Sequence, residues 1–324
     1  MNKKVFITRK IPDLGITMLK NKGYEVDVYL KNKIMSQKEL VSVLKKKDYD
    51  AVLCLLTDKI DAKIYSAAPN TKLYVNYATG FDNLDLAEAK KRGILIANAP
   101  ADLASEAVAE HALVMMLALA ARIVEADDFV RRGKYKGWDP MHFIGTDILG
   151  KTLGLVGAGR IGERVAFYAK GLGMKIIYTD VTKNSRIEES VGAEYVSSIE
   201  ELLPKADLVS LHVPLLDSTK HLMNEKHFKM MKPTAFLVNT SRGPVVDEKA
   251  LVKALKEKVI AGAGLDVFEF EPKLVSGLAK LNNVILTPHI GSASVEARNQ
   301  MAEVAVNNII DFFEGKLPKN IVNK

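Results

Sequence analysis

The sequence predicts an α/β protein that is built from two doubly wound parallel-sheet domains around a cleft. Three observations lead to this fold class. The chain has 324 residues, which is the length of about two domains. Short apolar runs alternate with helical segments from residue 4 to residue 99, and a second alternating series runs from residue 151 to residue 287. Short buried strands that are separated by helices form parallel sheets with helices on both faces.

The first series contains five strand-like runs bounded by turn or helical segments. They are KVFIT (4–8), YEVDVYL (24–30), AVLCLL (51–56), KLYVNYA (72–78) and ILIANA (94–99). The segments between them have helical character, and one of them begins with a serine that suits a helix N-terminus. These helices are predicted at 12–23, 36–47, 61–68 and 84–93.

One long helix is predicted over residues 101–132. Its middle, ALVMMLALAA, is apolar on nearly every side and is about half the length of a membrane span. Such a helix must be covered all round, either inside its own domain or by a second subunit. We expect it to form a homodimer interface, and we expect no membrane partner.

The second series contains six strand-like runs and the longest amphipathic segment. The strands are KTLGLVG (151–157), KIIYTD (175–180), ADLVSLHV (206–213), AFLVNT (235–240), IAGAGLDV (260–267) and NVILT (283–287). Helices are predicted at 160–173 and 247–258, and a long amphipathic helix is predicted at 294–316.

The composition argues against several function classes. The formal charge is +7, but the basic clusters at 45–47 and 131–136 are short and scattered, whereas a nucleic-acid reader would concentrate them on one element. The single cysteine, Cys54, allows no disulfide within the chain, which fits a reducing cytoplasm. The N-terminal residues continue directly into a strand pattern, so we expect no signal peptide. No Cys/His cluster indicates a metal site.

The stretch GLVGAGRIG indicates a dinucleotide site. Gly157, Gly159 and Gly162 have the G-x-G-x-x-G spacing between a strand and a helix, as in the Rossmann fold. These glycines allow a tight turn, a close approach of the backbone to a pyrophosphate, and close helix–strand packing. Asp180 at the next strand end can accept hydrogen bonds from the ribose hydroxyls of NAD and would repel a 2′-phosphate. NAD(H) is therefore the expected cofactor, although the basic residues of VTKNSR (181–186) leave some use of NADPH open.

Polar side chains follow the later strands, at the edge where an open α/β sheet binds its ligands. An arginine, a carboxylate and a histidine can meet there. An arginine binds a carboxylate and polarises a carbonyl, a histidine delivers a proton to the new alkoxide, and a carboxylate orients the imidazole and favours its charged form. This set suits hydride transfer to a 2-keto acid. The candidates are Arg242, Asp266, Glu269, Glu271 and His289.

Four motifs, GLVGAGRIG, NTSRGPVVDEKALVKAL, AGLDVFEFEP and LTPHIG, resemble the D-isomer-specific 2-hydroxyacid dehydrogenases, and the resemblance extends over nearly the whole chain. It implies Arg242 as substrate clamp, His289 as acid/base and Glu271, directly before a proline, as the orienting carboxylate. Glu269 is then expected to be a solvated loop residue. The cofactor contacts expected beside the three glycines are Arg160, Ile161, Asp180, Val213, Pro214, Thr219, Thr240, Ser241 and Asp266.

The resemblance also makes the domains discontinuous. A NAD-binding Rossmann domain would comprise residues 101–289, and a flavodoxin-like substrate domain would comprise 1–100 and 290–324. In the substrate domain, YATGFDN resembles the family loop whose backbone amides hold the substrate carboxylate. The residues expected to bind the substrate are Leu55, at the side-chain pocket, Ala78, Thr79 and Gly80, together with Arg242.

Several alternatives stay open. A glyoxylate or hydroxypyruvate reductase, a D-lactate-type dehydrogenase and a phosphoglycerate dehydrogenase share this triad. We expect no appended regulatory domain, and this expectation disfavours the last. A different class is an NAD(H)-sensing binding protein like the transcriptional corepressors of this fold. Among the other histidines, His111 is expected at an interface or surface, and His142, His221 and His227 have no predicted partners.

Overall fold

The computed structural model of the chain describes residues 3–324, which divide into two compact units. The first unit comprises the chain up to Ala104 together with Ala293–Lys324, and the second comprises Ser105–Ser292. The roles of the two predicted domains in binding substrate and cofactor stay predictions.

The first unit contains a five-stranded parallel sheet with the strand order β2-β1-β3-β4-β5. The central strands are buried along their whole length, as parallel strands covered on both faces must be. The strands are β1 (Lys4–Ile7), β2 (Glu25–Val28), β3 (Ala51–Cys54), β4 (Leu73–Asn76) and β5 (Leu95–Ala97). The helices between them are α1 (Asp13–Asn21), α2 (Gln37–Lys46), α3 (Ala62–Ala67) and α4 (Leu86–Lys91).

The second unit contains a seven-stranded parallel sheet with the order β12-β11-β10-β9-β6-β7-β8. The strands are β6 (Thr152–Val156), β7 (Lys175–Thr179), β8 (Glu194–Tyr195), β9 (Leu208–Leu211), β10 (Phe236–Asn239), β11 (Gly262–Leu265) and β12 (Val284–Leu286). The helices are α5 (Asp102–Ala120, which begins in the first unit), α6 (Ile123–Arg131), α7 (Arg160–Gly171), α8 (Ser185–Val191), α9 (Ile199–Leu202), α10 (Glu225–Met230) and α11 (Glu248–Lys256). The strand order reverses between β6 and β9, and such a switch point is where doubly wound sheets bind their ligands.

The last helix, α12 (Val295–Phe313), belongs to the first unit and packs on α1. Gly15 in α1 makes this packing possible, because a Cβ atom there would lie 3.1 Å from the Cβ of Ala302. The Tyr77 hydroxyl donates a hydrogen bond of 2.6 Å to the carbonyl of Arg298, so α12 also contacts the end of β4.

The single helix expected over residues 101–132 is wrong, because the chain forms α5 and α6 with a break between them. Arg122 has a φ of 54°, a left-handed conformation that cannot continue a right-handed helix. Its guanidinium hydrogen-bonds to Glu125 at 2.6 Å and lies 5.3 Å from the ring of Phe143. These contacts hold Arg122 in the strained conformation.

Helix α5 is long and apolar enough to cross a membrane by length and composition alone. Core helices of soluble proteins have the same character, and one face of α5 packs into the core of the second unit. Gly264 in β11 lets this face approach the sheet, because a Cβ there would lie 3.2 Å from the Cβ of Met115. The opposite face has exposed apolar side chains, among them Val114 and Leu117.

Candidate active site

The glycine loop between β6 and α7 is built for a close backbone approach. Gly157 has a φ of 96°, and a Cβ there would lie 2.8 Å from the carbonyl oxygen of His212. A Cβ at Gly162 would lie 2.2 Å from the carbonyl oxygen of Gly157, so helix and loop touch only because both residues are glycine. Gly159, in contrast, faces open space, with no atom within 4 Å of a Cβ built there. This open side is where a pyrophosphate can approach the backbone.

The predicted contacts Arg160 and Ile161 form the start of α7, which has no side-chain cap at Gly159. The N–H groups of its first turn therefore remain available for an anion. Asp180 follows β7, and its Oδ2 accepts a hydrogen bond of 2.7 Å from the backbone N–H of Ala158. This bond holds the carboxylate against the glycine loop, while Oδ1 has no partner within residues 3–324 and can accept from a ribose hydroxyl.

The two cations that could favour a 2′-phosphate are engaged elsewhere. The ammonium of Lys183 lies 4.9 Å from the ring centroid of Tyr195. The guanidinium of Arg186 pairs with Glu163 at 2.9 Å and lies 5.8 Å from the ring of Phe167. Both side chains therefore already have an interaction partner.

Two buried polar atoms at this edge lack partners in the described chain. His212 follows β9, its Nε2 makes no hydrogen bond, and burial lowers the pKa of its imidazole to about 4. The hydroxyl of Thr240, after β10, is buried and also unpaired. Buried polar groups normally have partners, so unpaired atoms at the sheet edge that carries the glycine loop fit a site that a polar ligand completes.

The remaining predicted cofactor residues shape the same edge through local contacts. The Thr219 hydroxyl donates to the carbonyl of Pro214 at 2.6 Å and accepts from the N–H of Leu216 at 2.8 Å. It therefore closes the turn after β9, and Val213 lies beside Gly157 in the same loop. The Ser241 hydroxyl donates to Asn239 at 2.8 Å, which fixes the turn that leads to Arg242.

His289 and Glu271 form a hydrogen-bonded pair. His289 Nδ1 lies 3.1 Å from Glu271 Oε2, and each side chain is about one-third exposed. The other oxygen, Oε1, accepts from the N–H of Phe268 at 3.0 Å, so the carboxylate is held in one orientation. Burial alone would favour the neutral acid, but the hydrogen bond from His289 lowers the pKa of Glu271 below its usual range. Glu271 is therefore a carboxylate at neutral pH, and it leaves His289 Nε2 for a substrate.

The turn that carries His289 is held by Asp266. His289 has a φ of 56°, and its N–H donates to the carbonyl of Asp266 at 2.9 Å. The next two N–H groups, from Ile290 and Gly291, donate to the two carboxylate oxygens of Asp266 at 2.8 and 2.7 Å. A cofactor contact of Asp266 stays a prediction, and its evident role is to fix the strained turn.

His111, which is expected at an interface or surface, is mostly covered by its own unit, and an interface role stays a prediction. Its imidazole is only 17% exposed, and its Nε2 lies 3.1 Å from the hydroxyl of Thr287 and 3.5 Å from Asp266. Burial disfavours the charge on Asp266, but the hydrogen bonds from His111, Thr287 and the turn amides lower its pKa. His111 thus supports, from α5, the turn that carries His289.

Arg242 follows β10, the strand beside β11, and its Nη1 donates to the carbonyl of Ser241 at 2.8 Å. The next residue, Gly243, packs directly on the loop that carries Glu271, because a Cβ there would lie 1.9 Å from the carbonyl of Phe268. The charge of Arg242 also contributes to the lowered pKa of Glu271. The second unit thus brings Arg242, Glu271 and His289 to one edge of its sheet.

The expectation that Glu269 is a solvated loop residue is wrong. Its side chain is 9% exposed, and its Oε1 lies 2.8 Å from His221 Nε2, a partner that the sequence did not indicate. Its N–H donates to Glu248 at 2.7 Å, and the N–H of Glu248 donates back to its carboxylate at 3.2 Å. Burial raises the pKa of Glu248. No sequence pattern revealed Glu248, because a glutamate at the start of a helix is usually exposed.

The predicted substrate residues lie in the first unit, at the ends of adjacent strands. Leu55 follows β3, and Ala78, Thr79 and Gly80 follow β4. Within residues 3–324, no group of three or more His, Cys, Asp or Glu side chains could hold a metal ion.

The chain is similar to known proteins over its full length. A family model described as the NAD-binding domain of D-isomer-specific 2-hydroxyacid dehydrogenases matches residues 113–291. A glyoxylate reductase of Thermococcus litoralis is 51% identical over 328 aligned residues, which cover 100% of this chain and 98% of that protein. A glyoxylate reductase of Korarchaeum cryptofilum is 48% identical and covers 100% of this chain and 97% of its own.

Solved structures share the whole architecture. The D-lactate dehydrogenase of Aquifex aeolicus, complexed with NAD and lactic acid, has a TM-score of 0.85 at 31% identity and 99% coverage of both chains. An NADPH-dependent glyoxylate/hydroxypyruvate reductase of Sinorhizobium meliloti, in complex with NADP and malonate, has a TM-score of 0.85 at 29% identity and covers 99% of this chain and 97% of its own.

Proposed function

Because this chain belongs to the D-isomer-specific 2-hydroxyacid dehydrogenase family, we propose that it reduces glyoxylate, or a closely related small 2-keto acid, with NADH. Family membership makes the chain an enzyme, a 2-hydroxyacid oxidoreductase that uses a nicotinamide cofactor. The observation that carries the proposal is the His289–Glu271 pair at 3.1 Å, beside the loop that carries Arg242. The glyoxylate reductases among the relatives support glyoxylate as the proposed substrate.

The proposed chemistry divides between three side chains. The glycine loop would hold the pyrophosphate of the dinucleotide, whose nicotinamide would supply the hydride for reduction and accept it for oxidation. Arg242 binds the substrate carboxylate and polarises the carbonyl through its guanidinium. His289 gives the proton on Nε2 to the alkoxide oxygen as it forms, and Glu271 on Nδ1 stabilises the protonated imidazole before that transfer.

We propose NADH rather than NADPH as the preferred cofactor. Asp180 is held at the glycine loop by its bond to Ala158, so a 2′-phosphate would meet a fixed negative charge. Lys183 and Arg186 already contact Tyr195 and Glu163, and these contacts compete with binding of that phosphate. The substrate carboxylate is proposed to use the loop at 78–80 in addition to Arg242, with Leu55 beside the substrate's side chain.

We further propose a cytoplasmic homodimer. The exposed apolar face of α5 supports the dimer, together with exposed side chains after α6 such as Trp138 and Met141. The free and buried Cys54 fits a reducing compartment.

A substrate panel with both cofactors tests the proposed function. Glyoxylate, hydroxypyruvate, pyruvate and 3-phosphohydroxypyruvate are each assayed with NADH and with NADPH. We expect the highest kcat/KM for glyoxylate with NADH. Replacement of His289 with Ala should reduce kcat by roughly 10²–10⁴-fold and leave NADH affinity intact. A higher kcat/KM for 3-phosphohydroxypyruvate would favour a phosphoglycerate dehydrogenase instead, and a higher kcat/KM with NADPH would overturn the cofactor preference.

A further inference from the structure

The loop after β4 in the first unit has its carbonyl groups tied to buried amide side chains. The carbonyl of Thr79 accepts a hydrogen bond of 2.6 Å from Asn98 Nδ2, and the carbonyl of Gly80 accepts one of 2.8 Å from Asn76 Nδ2. The carbonyl of Ala78 accepts from the backbone N–H of Ala99 at 2.9 Å. Three consecutive carbonyls are therefore satisfied on the inner side of the loop.

The two asparagines that hold these carbonyls are core residues. Asn76 is fully buried at the end of β4, and Asn98 is 8% exposed directly after β5. Asn76 uses its second N–H to donate to Asn83 Oδ1 at 2.9 Å, so both of its donors are engaged. A buried amide with fixed partners cannot release a carbonyl without leaving a polar group unpaired.

Asn83 extends this network to the end of β3. Its amide donates to the carbonyl of Leu55 at 3.1 Å, and the N–H of Leu55 donates to Asp58 at 2.8 Å. Burial raises the pKa of Asp58. One set of buried polar side chains thus fixes the backbone at both predicted substrate segments.

Because the peptide group is planar, fixing the direction of a carbonyl also fixes the direction of the next residue's N–H group. In a trans peptide, the C=O of one residue and the N–H of the next point in opposite directions. With the carbonyls of 78, 79 and 80 held inward, the N–H groups of Thr79, Gly80 and Phe81 point outward. None of the three donates a hydrogen bond to any acceptor within residues 3–324, and Thr79 and Phe81 are exposed.

We propose that Asn98 and Asn76 are positioning residues, which aim the N–H groups of Gly80 and Phe81 at the carboxylate of the substrate. Two consecutive outward N–H groups can both donate to one anion. The asparagines do not touch the substrate and act only through the peptide groups that they hold. This inference rests on the proposed function, since it assigns the 2-keto acid carboxylate to this loop.

Asn98→Ala tests the proposal, with Asn323→Ala as its matched control. Asn323 also bridges backbone groups of the first unit, donating to the carbonyl of Ile94 and accepting from the N–H of Ile96, both at 2.8 Å. We expect Asn98→Ala to raise the Kd of oxamate, an unreactive 2-keto acid analogue, at least tenfold in the presence of saturating NADH. The Kd of NADH should stay unchanged in both variants, and Asn323→Ala should bind oxamate as the wild type does.

A measurement on the wild-type enzyme covers the case in which Asn98→Ala fails to fold. Phenylalanine labelled with ¹⁵N reports the amide of Phe81, whose signal should shift when oxamate is added to the NADH-saturated protein. An unmoved Phe81 signal, or unchanged oxamate affinity in folded Asn98→Ala, would overturn the proposal. If the wild type neither binds oxamate nor reduces any 2-keto acid, the proposed function itself fails, which is a distinguishable result.

Discussion

At the scale of single residues, the proposed mechanism requires that the charge of Glu271 controls when His289 can donate its proton. Reduction needs the protonated imidazole, so its rate should fall as pH rises, and oxidation of the hydroxy acid should show the opposite dependence. The pKa of Glu271 is lowered, so the carboxylate remains negative throughout the neutral range and favours the protonated imidazole.

Glu271→Gln keeps the shape of the side chain and removes this charge. We expect the descending limb of the reduction profile to move to lower pH, because the negative charge that favours the protonated imidazole is gone. Glu189→Gln is the control, since Glu189 is exposed and the variant has the same net charge. The measurement is kcat against pH in the reducing direction. A profile that is the same in both variants would mean that Glu271 does not set the protonation of the acid.

The sequence identified the candidate catalytic residues, which lie in family-specific motifs. It did not identify the residues that hydrogen-bond to the loops carrying them. Arg242 and His289 closely follow β10 and β12, and Glu271 lies in the loop after β11, so the parallel topology predicts a common edge. The surroundings of Glu269 were misjudged and the contact of His111 with Asp266 was not predicted, because Glu248, His221 and Asp266 are far away in sequence and only the folded chain brings these partners together. Local pattern contains no information about such distant pairs.

At the scale of elements, a substitution at the start of α7 can change cofactor binding without changing the stability of the fold. Gly159 and Gly171 stand at opposite ends of this helix, and in neither case does a Cβ meet any atom within 4 Å. Alanine at either position should change the free energy of unfolding by no more than about 1 kcal/mol.

Only Gly159→Ala should weaken binding of the cofactor, because the added methyl group lies on the open side of the glycine loop. We expect its Kd for NADH to rise at least tenfold, while Gly171→Ala binds NADH as the wild type does. Fluorescence titration measures both constants, and urea denaturation measures both stabilities. Equal NADH affinity in the two variants would contradict a pyrophosphate position over Gly159.

The elements that the sequence missed are those whose formation depends on tertiary contacts. The break at Arg122 has no proline or glycine to announce it, and it is held by Glu125 and Phe143. Strand β8 (Glu194–Tyr195) has two residues, too few for any alternating pattern, and exists because it pairs with β7. The longer strands and helices were predictable, since their apolar periodicity is set by burial.

At the scale of the whole molecule, α5 has more apolar surface than its own chain covers. Val114 is 59% exposed and Leu117 is 39% exposed on a helix whose opposite face lies in the core. Exposed apolar surface of this kind commonly marks an interface between subunits. Two parallel-sheet units were predictable from the alternating pattern, but an interface between copies leaves no periodic signal apart from this apolar excess.

Leu117→Asp tests whether this face joins two copies. Light scattering at micromolar concentration should give the wild type a mass near twice the 35.6 kDa of the chain. In a single copy Leu117 is partly exposed, so an aspartate there can remain hydrated and the chain should still fold. In a dimer the same charge would be buried without a partner, which is costly. The variant should therefore have the mass of a single chain. Leu30→Asp is the control, because Leu30 is 78% exposed in the first unit and its variant should keep the wild-type mass. A wild type of single-chain mass would exclude the homodimer, and a Leu117→Asp protein that stays dimeric would move the interface away from α5.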